Sequence, residues 1–328
     1  MRIAVDAMGT DRHPAVEVEG VVAALEDLPE SFEVILVGDE DRIRQELDRL
    51  RIVEDQRLTV VHASERIDPT EAPAAAVRRK PDSSIVVGIE LQRQGEADAF
   101  VSAGSTGAVM AASLLMLRPL PGVDRPAIAA MVPTSVGPMV LLDAGANVDC
   151  KPENLVQFAR LGVVYARDVL GRETPRVGLL NIGEEPEKGN ELAVETHRRL
   201  EASGLHFVGN VEGRQIIEGA CDVLVADGFV GNVLLKFYES VAGFVFGLLK
   251  RDIAEVGAGA TSDRVTRILD YAEYGGAPLL GVNGISIICH GDSPPRAITN
   301  ALKAAETASN AHMVGHIREE VGVHPEPA

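Results

Sequence analysis

Short apolar runs alternate with polar, glycine-bearing stretches along most of this chain. Residues 3–5, 33–37, 58–62, 99–101, 177–180, 206–209, 223–226 and 284–288 read as strands, and each ends in a polar or glycine-flanked loop. Residues 128–132 and 139–142 read as a strand pair across the turn P-T-S-V-G-P. Helical periodicity separates them at 15–26, 40–50, 85–92 and 153–170, and another helical pattern opens at Asn190. Pro294 and Pro295 suit the start of a long final helix, whose first N–H groups need no acceptor. Strands and helices alternating at this spacing predict an α/β fold: a three-layer αβα sandwich with a mostly parallel central sheet. The whole of 1–328 is read as one α/β domain.

One segment breaks the rhythm. Val230, Val233, Leu234, Phe237, Val241, Phe244, Val245 and Leu248 recur at three- and four-residue steps, which is one face of a helix. Four of the eight phenylalanines fall in it, and Lys236 and Glu239 exclude a membrane span. V-G-A-G-A-T ends this helix, and Ser262 or Asp263 begins a second one to Tyr274, so a helical hairpin over about 229–275 is expected to project from the sheet. Phe237, Val241, Phe244 and Leu248 would then meet an acyl chain, a membrane surface, a second subunit or the core.

Composition narrows the classes. The formal charge of −18 argues against nonspecific nucleic-acid binding, since a phosphate backbone would be repelled. Three widely spaced cysteines without C-x-x-C fit reduced thiols in a cytosol and no zinc site. M-R-I-A-V-D begins a strand, so no signal peptide is expected, and no window is apolar enough to span a bilayer. His312 and His316 are four apart on the final helix but lack a carboxylate motif, and neither metal nor cofactor is expected. Arg78, Arg79 and Lys80 form a local basic cluster, either a solvated helix end or a docking patch for an acidic partner.

The candidate chemistry sits at the strand ends. Asp6, Ser102 with Ser105 and Thr106, Asp143 with Asn147, Asn181 with Lys188, Asn210, Asp227 with Asn232, and His290 follow predicted strands, and parallel strands would open most of them along one edge. S-A-G-S-T-G-A, at a strand-to-helix turn, is suited to an oxyanion through unpaired N–H groups and glycines that let a ligand approach; the alternative is an ordinary helix cap. There is no nucleoside-triphosphate P-loop and no G-x-S-x-G elbow. Donors without a protein nucleophile suggest that the nucleophile is itself an anion, and inorganic phosphate attacking a thioester fits.

Taken together, D-A-M-G-T-D, A-V-R-R-K-x-D-S-S, S-A-G-S-T-G-A, D-A-G-A-N-V-D-C-K-P-E, N-I-G-E-E-x-x-K-G, N-V-E-G-R and A-D-G-F-V-G-N-V resemble, in order, the bacterial phosphate acyltransferase family of phospholipid synthesis. The resemblance covers nearly the whole chain. It implies transfer of a fatty acyl group from acyl carrier protein to inorganic phosphate, and an acyl-phosphate product passed to a membrane glycerol-3-phosphate acyltransferase. It also implies a homodimer, a cytoplasmic place with loose membrane association, and a fold like phosphotransacetylase and isopropylmalate dehydrogenase. Under it, Lys188, Asn181 and Asp227 are the catalytic candidates. Ser102, Gly104, Ser105 and Thr106 would cradle phosphate, and Asn147, Asn210, Asn232 and His290 would bind substrate. Arg78, Arg79 and Lys80 would dock the carrier protein. The family usually carries Gly where Thr10 stands and Asn where Ser105 stands; Thr10 is expected to tighten its turn. The competing readings are an acetyl-type transferase using coenzyme A and phosphate, and a non-catalytic lipid-binding or membrane-scaffold protein.

Overall fold

A computed structural model describes residues 1–52, 55–256 and 271–323. In chain order its elements begin with β1 (Arg2–Asp6), α1 (Ala15–Asp27), β2 (Glu33–Gly38), α2 (Glu40–Arg49), β3 (Leu58–His62), α3 (Pro73–Arg79), α4 (Ser84–Arg93) and β4 (Ala99–Ser102). There follow α5 (Thr106–Ala112), a π-helical stretch Ser113–Leu117, β5 (Ala127–Ile128), β6 (Ala130–Thr134), β7 (Gly137–Leu142), α6 (Pro152–Asp168), β8 (Val177–Leu180), α7 (Glu191–Glu201) and β9 (Phe207–Val211). The chain continues with α8 (Gly213–Glu218), β10 (Val223–Val225), α9 (Gly228–Val256), β11 (Ala277–Leu280) and β12 (Ile285–Ile288), then the helices Pro295–Asn310 and Met313–Val323. The sequence suggests one domain; the residues group into two compact units, Met1–Leu120 with Tyr274–Gly315, and Pro121–Glu273 with His316–Ala328.

The first unit orders its strands β3-β2-β1-β4-β12-β11, all parallel except β11. β1 and β4 are buried along nearly all their length because helices cover both faces. The crossovers from β1 to β2 and from β2 to β3 run one way, and the crossover from β3 to β4 runs back past β1. Right-handed connections therefore put α1 and α2 on one face and α4 on the other. α1 packs on the helix Pro295–Asn310, while α4 packs on β1, β2, β4 and α5. The reversal makes the gap between the carboxyl ends of β1 and β4 a topological switch point, where ligands of open α/β sheets bind. Asp6 and Ser102 are the register partners at that gap.

The second unit orders its strands β6-β7-β10-β8-β9, with β7, β10, β8 and β9 parallel and β6 an antiparallel edge. α6 and α7 pack together on one face. On the other, Ile216 of α8 joins Val132, Met139, Leu141 and Leu224 in a core to which Leu234, Leu235 and Tyr238 of α9 add. Because the four central strands are parallel, the loops holding Asp143, Asn181, Glu212 and Asp227 all leave the same edge of this sheet.

At three places the structure adds to, corrects or narrows the sequence reading. β11 was unforeseen. The final helix is two helices, broken where His312 takes φ 53; His316 pairs with Asp168 at 2.8 Å. The expected apolar stripe of α9 faces outward: Phe237 and Phe244 are each 67% exposed, and Val230, Val233, Val241 and Leu248 are exposed beside them. The second helix of the expected hairpin lies at 257–270, outside the described residues. No helix among the described residues is long and apolar enough to cross a membrane.

Candidate active site

Two clusters of strand-end residues are built, one in each unit. In the first, the buried Asp6 accepts the Met8 N–H at 3.0 Å and the Ser102 hydroxyl at 2.7 Å. The same hydroxyl oxygen accepts the Gly104 N–H at 3.0 Å. The loop after β1 is thereby fixed to the loop after β4. A Cβ on Gly9 would lie 2.7 Å from the Gly104 nitrogen, so only glycine lets these backbones touch. Arg66 donates from Nε to the Met8 carbonyl at 2.8 Å, and the Asp11 N–H donates to the Gly291 carbonyl at 2.8 Å beside His290. His13 places Nδ1 2.7 Å from the Thr10 carbonyl, and burial holds its pKa below the usual imidazole value.

The structure gives Thr10 a partner. Its N–H and hydroxyl donate to the two oxygens of Glu17, at 2.6 and 3.0 Å. Glu17 is fully buried on α1, and desolvation pushes its carboxyl up to about 7 against the pull of those bonds. The turn is tied down from a helix seven residues away.

The turn Ser105–Gly107 follows. Ser105 caps α5, its hydroxyl accepting the Ala108 N–H at 3.4 Å. Thr106 is exposed at the first helical position, and a helix supplies no internal acceptor for its first N–H groups. Of the predicted cradle, Ser102 has its hydroxyl committed to Asp6 and Gly104, while Thr106 and the helix start face outward.

In the second unit, the buried Asp143 organises its loop. Its Oδ1 accepts the N–H groups of Ile128, Gly145 and Ala146, at 3.0 to 3.2 Å. Its Oδ2 accepts the Asn147 N–H at 2.6 Å and the Asn147 amide at 3.0 Å. Burial raises this carboxyl and the N–H donors oppose the rise. The Gly228 N–H donates to the Asn147 carbonyl at 2.8 Å. A Cβ on Gly228 would lie 2.6 Å from both that carbonyl and Asp143 Oδ2, and one on Gly231 would overlap the Asp143 carbonyl. The amino end of α9 is thus socketed on this loop, with the exposed Asn232 against Gly145. Asp227 caps the helix, its Oδ1 accepting from the Phe229 and Val230 N–H groups at 3.0 Å.

The Lys188 loop is clamped by the two predicted asparagines. Asn181 donates from Nδ2 to the Lys188 carbonyl at 2.9 Å and accepts the Ile182 N–H at 2.8 Å. Asn210 donates to the Glu185 carbonyl at 2.7 Å, and its oxygen lies 2.9 Å from Nδ1 of the buried His197. Both amide nitrogens donate to loop backbone. Lys188 is exposed and, among the described residues, makes no ion pair, although Glu184, Glu185 and Glu187 surround it in sequence. The basic cluster divides: Lys80 donates to Glu71 at 2.6 Å and to the Arg66 carbonyl at 2.8 Å, Arg79 lies 3.6 Å from Glu71, and Arg78 is exposed.

Sequence reasoning missed Glu17, His13, Arg66 and His197. Glu17 alone left a signal, because it shares the inward face of α1 with Gly20, Val21 and Ala24. Among the described residues, no group of three or more His, Cys, Asp and Glu side chains could hold a metal ion. Burial raises all three thiols: Cys150 to about 11, Cys221 to about 12 and Cys289 to about 12.

The model of the fatty acid synthesis protein family matches residues 1–315. The chain is 50% identical over 330 residues to a phosphate acyltransferase of Desulfitobacterium hafniense, covering 98% of each. It is 47% identical over 331 residues to a phosphate acyltransferase of Desulforamulus reducens, covering 98% of this chain and 97% of the relative. Among solved structures, phosphotransacetylases from Staphylococcus aureus and Streptococcus pyogenes each superpose with a TM-score of 0.61 over 94% of both chains, at 16% and 18% identity, which speaks for the fold alone.

Proposed function

Because the chain belongs to the fatty acid synthesis protein family and is an acyltransferase enzyme, we propose that it moves a long-chain acyl group from the thioester of acyl carrier protein to inorganic phosphate. A phosphate oxygen attacks the thioester carbon, the C–S bond breaks, the carrier's thiolate leaves, and acyl phosphate is the product. Phosphate is already largely doubly charged near neutral pH, so positioning and charge stabilisation do most of the work.

The observation that carries this reading is Lys188, a cation without an ion pair among the described residues, on a loop that Asn181 and Asn210 hold in place. Such a lysine offsets charge that develops on an acyl oxygen. Asn181 and Asn210 act by fixing that loop, and Asp227 by fixing the start of α9 beside Asn147 and Asn232, where the thioester and its pantetheine arm would lie. The start of α5, with the hydroxyls of Ser105 and Thr106, offers donors to phosphate. His290, whose carbonyl accepts the Ser293 N–H at 3.1 Å, would bind substrate beside that turn. The three thiols, held protonated at neutral pH, favour attack by phosphate over an acylated cysteine.

The donor is the acidic carrier protein, met first by Arg78 and Arg79, while Lys80 serves its own fold. The outward face of α9 serves a second copy of the chain or the membrane surface, from which product passes to a glycerol-3-phosphate acyltransferase. The test is phosphate-dependent release of carrier thiol from long-chain acyl carrier protein. Turnover should exceed that with acetyl-coenzyme A, and Lys188→Ala should lower it by roughly 10²–10³-fold at unchanged thermal stability. Full turnover in folded Lys188→Ala protein, or an acyl group trapped on any side chain, overturns the reading.

A further inference from the structure

A second cleft lies in the first unit at the opposite edge of the sheet from Asp6 and Ser102. It has a volume of about 490 Å³, and Gln92, Arg93, Leu115, Met116, Arg118 and Asn283 line it. Gln92 fixes its place: Nε2 donates to the carbonyl of Asp98, just before β4, at 3.1 Å, and to that of Ile285, the first residue of β12, at 2.9 Å. The Ser102 hydroxyl lies at the far end of β4, so this cleft shares no residue with the candidate active site.

Three independent features meet there. The Oε1 of Gln92 is buried and has no hydrogen-bond partner, although the residue is only 9% exposed. A buried acceptor left unmatched is rare and calls for a donor. One wall is the π-helical stretch Ser113–Leu117, a geometry found mostly as single turns at functional sites. Arg118 follows it at φ 67 and ψ 159, a region that is essentially glycine's and where strain gathers at ligand clamps. The backbone holds it there. The Arg118 N–H donates to the Ser113 carbonyl at 3.0 Å, its carbonyl accepts the Asn283 N–H at 2.9 Å, and the Leu120 N–H donates to the Gly281 carbonyl at 2.8 Å. The side chain that this backbone presents is exposed and, among the described residues, forms no ion pair, whereas Arg93 is paired with Glu90. In a chain of net charge −18, a guanidinium so placed selects an anion.

We propose that this cleft binds a small organic anion whose body carries hydroxyl donors. Its charged head lies on the Arg118 guanidinium, a hydroxyl donates to Gln92 Oε1, and its carbon skeleton lies against Leu115 and Met116. The volume suits a ligand the size of a sugar phosphate. Ribose 5-phosphate is the probe, titrated calorimetrically into the full-length protein in saturating inorganic phosphate, which fills any plain phosphate site. Saturable binding is expected. Methyl phosphate, which has the head without the hydroxyls, and ribose, which has the hydroxyls without the head, should each bind about tenfold or more weakly. Arg118→Gly suits the backbone and should weaken ribose 5-phosphate binding about tenfold or more, while Arg118→Lys keeps most of it. Unchanged affinity in Arg118→Gly, no saturable heat at millimolar ligand, or complete displacement by inorganic phosphate overturns the proposal.

Discussion

Glu17 and Thr10 illustrate how much a single pair can decide. Neutral, the carboxyl can accept from the Thr10 N–H and donate to its hydroxyl; ionised, it holds a buried charge. The folded chain binds this proton more tightly than the unfolded one, about 7 against 4.5. The group's contribution to stability is therefore complete below pH 4.5 and is lost as pH rises through 7, a difference of roughly 3 kcal/mol. Glu17→Gln copies the neutral form, its oxygen accepting and its amide donating. Urea unfolding at pH 5 and pH 8 should find that the variant loses less stability over that interval than its parent, by roughly 1–3 kcal/mol. Parallel losses would remove the burial argument. None of this was legible in D-A-M-G-T-D, where Thr10 read only as a tighter turn, because its partner lies on the next helix. The asparagines teach the same lesson. Their positions at strand ends were readable, but that Asn181 and Asn210 spend their amides on the Lys188 loop depends on where that loop folds back.

At the level of elements, most strands were legible because a buried parallel strand is a continuous apolar run, and the helices between them carry their own period. A-P-L-L escaped because its proline and its antiparallel pairing with β12 disguise it. The final helix was read as unbroken because Met313, Ile317 and Val321 continue the apolar spacing past His312. How α9 is seated was not readable either, since it rests on glycines whose role is to lack a side chain. Gly231→Ala would drive a methyl into the Asp143 carbonyl. It should cost about 1–3 kcal/mol and lower the thermal midpoint by several degrees in calorimetry, whereas Gly243→Ala, with nothing near its Cβ, should not destabilise.

For the molecule as a whole, periodicity along the chain does not say which sheet a strand joins. The return of Tyr274–Gly315 to the first unit is a matter of topology, which local pattern does not carry. Patterning did find the stripe on α9 but not that it faces solvent, because an apolar face reads alike whether its cover belongs to this chain or not. Phe244→Asp places a charge on that face and should leave the fold intact and its stability within about 1 kcal/mol of the parent. Light scattering and vesicle sedimentation then separate the two proposed covers: a lower mass marks a second copy, and retention in the supernatant marks a membrane. If neither changes, the stripe serves neither purpose.

The rooted start of α9 has one more consequence. Phe244 stands sixteen residues beyond Gly228, about 24 Å along the helix axis. The helix is a mast stepped into the Asp143 socket, and whatever moors its upper length does so well away from the lysine loop. Under the proposed function, berth and workshop would therefore be separate stretches of the chain, and a tether on the upper helix would leave a bulky carrier room to come and go.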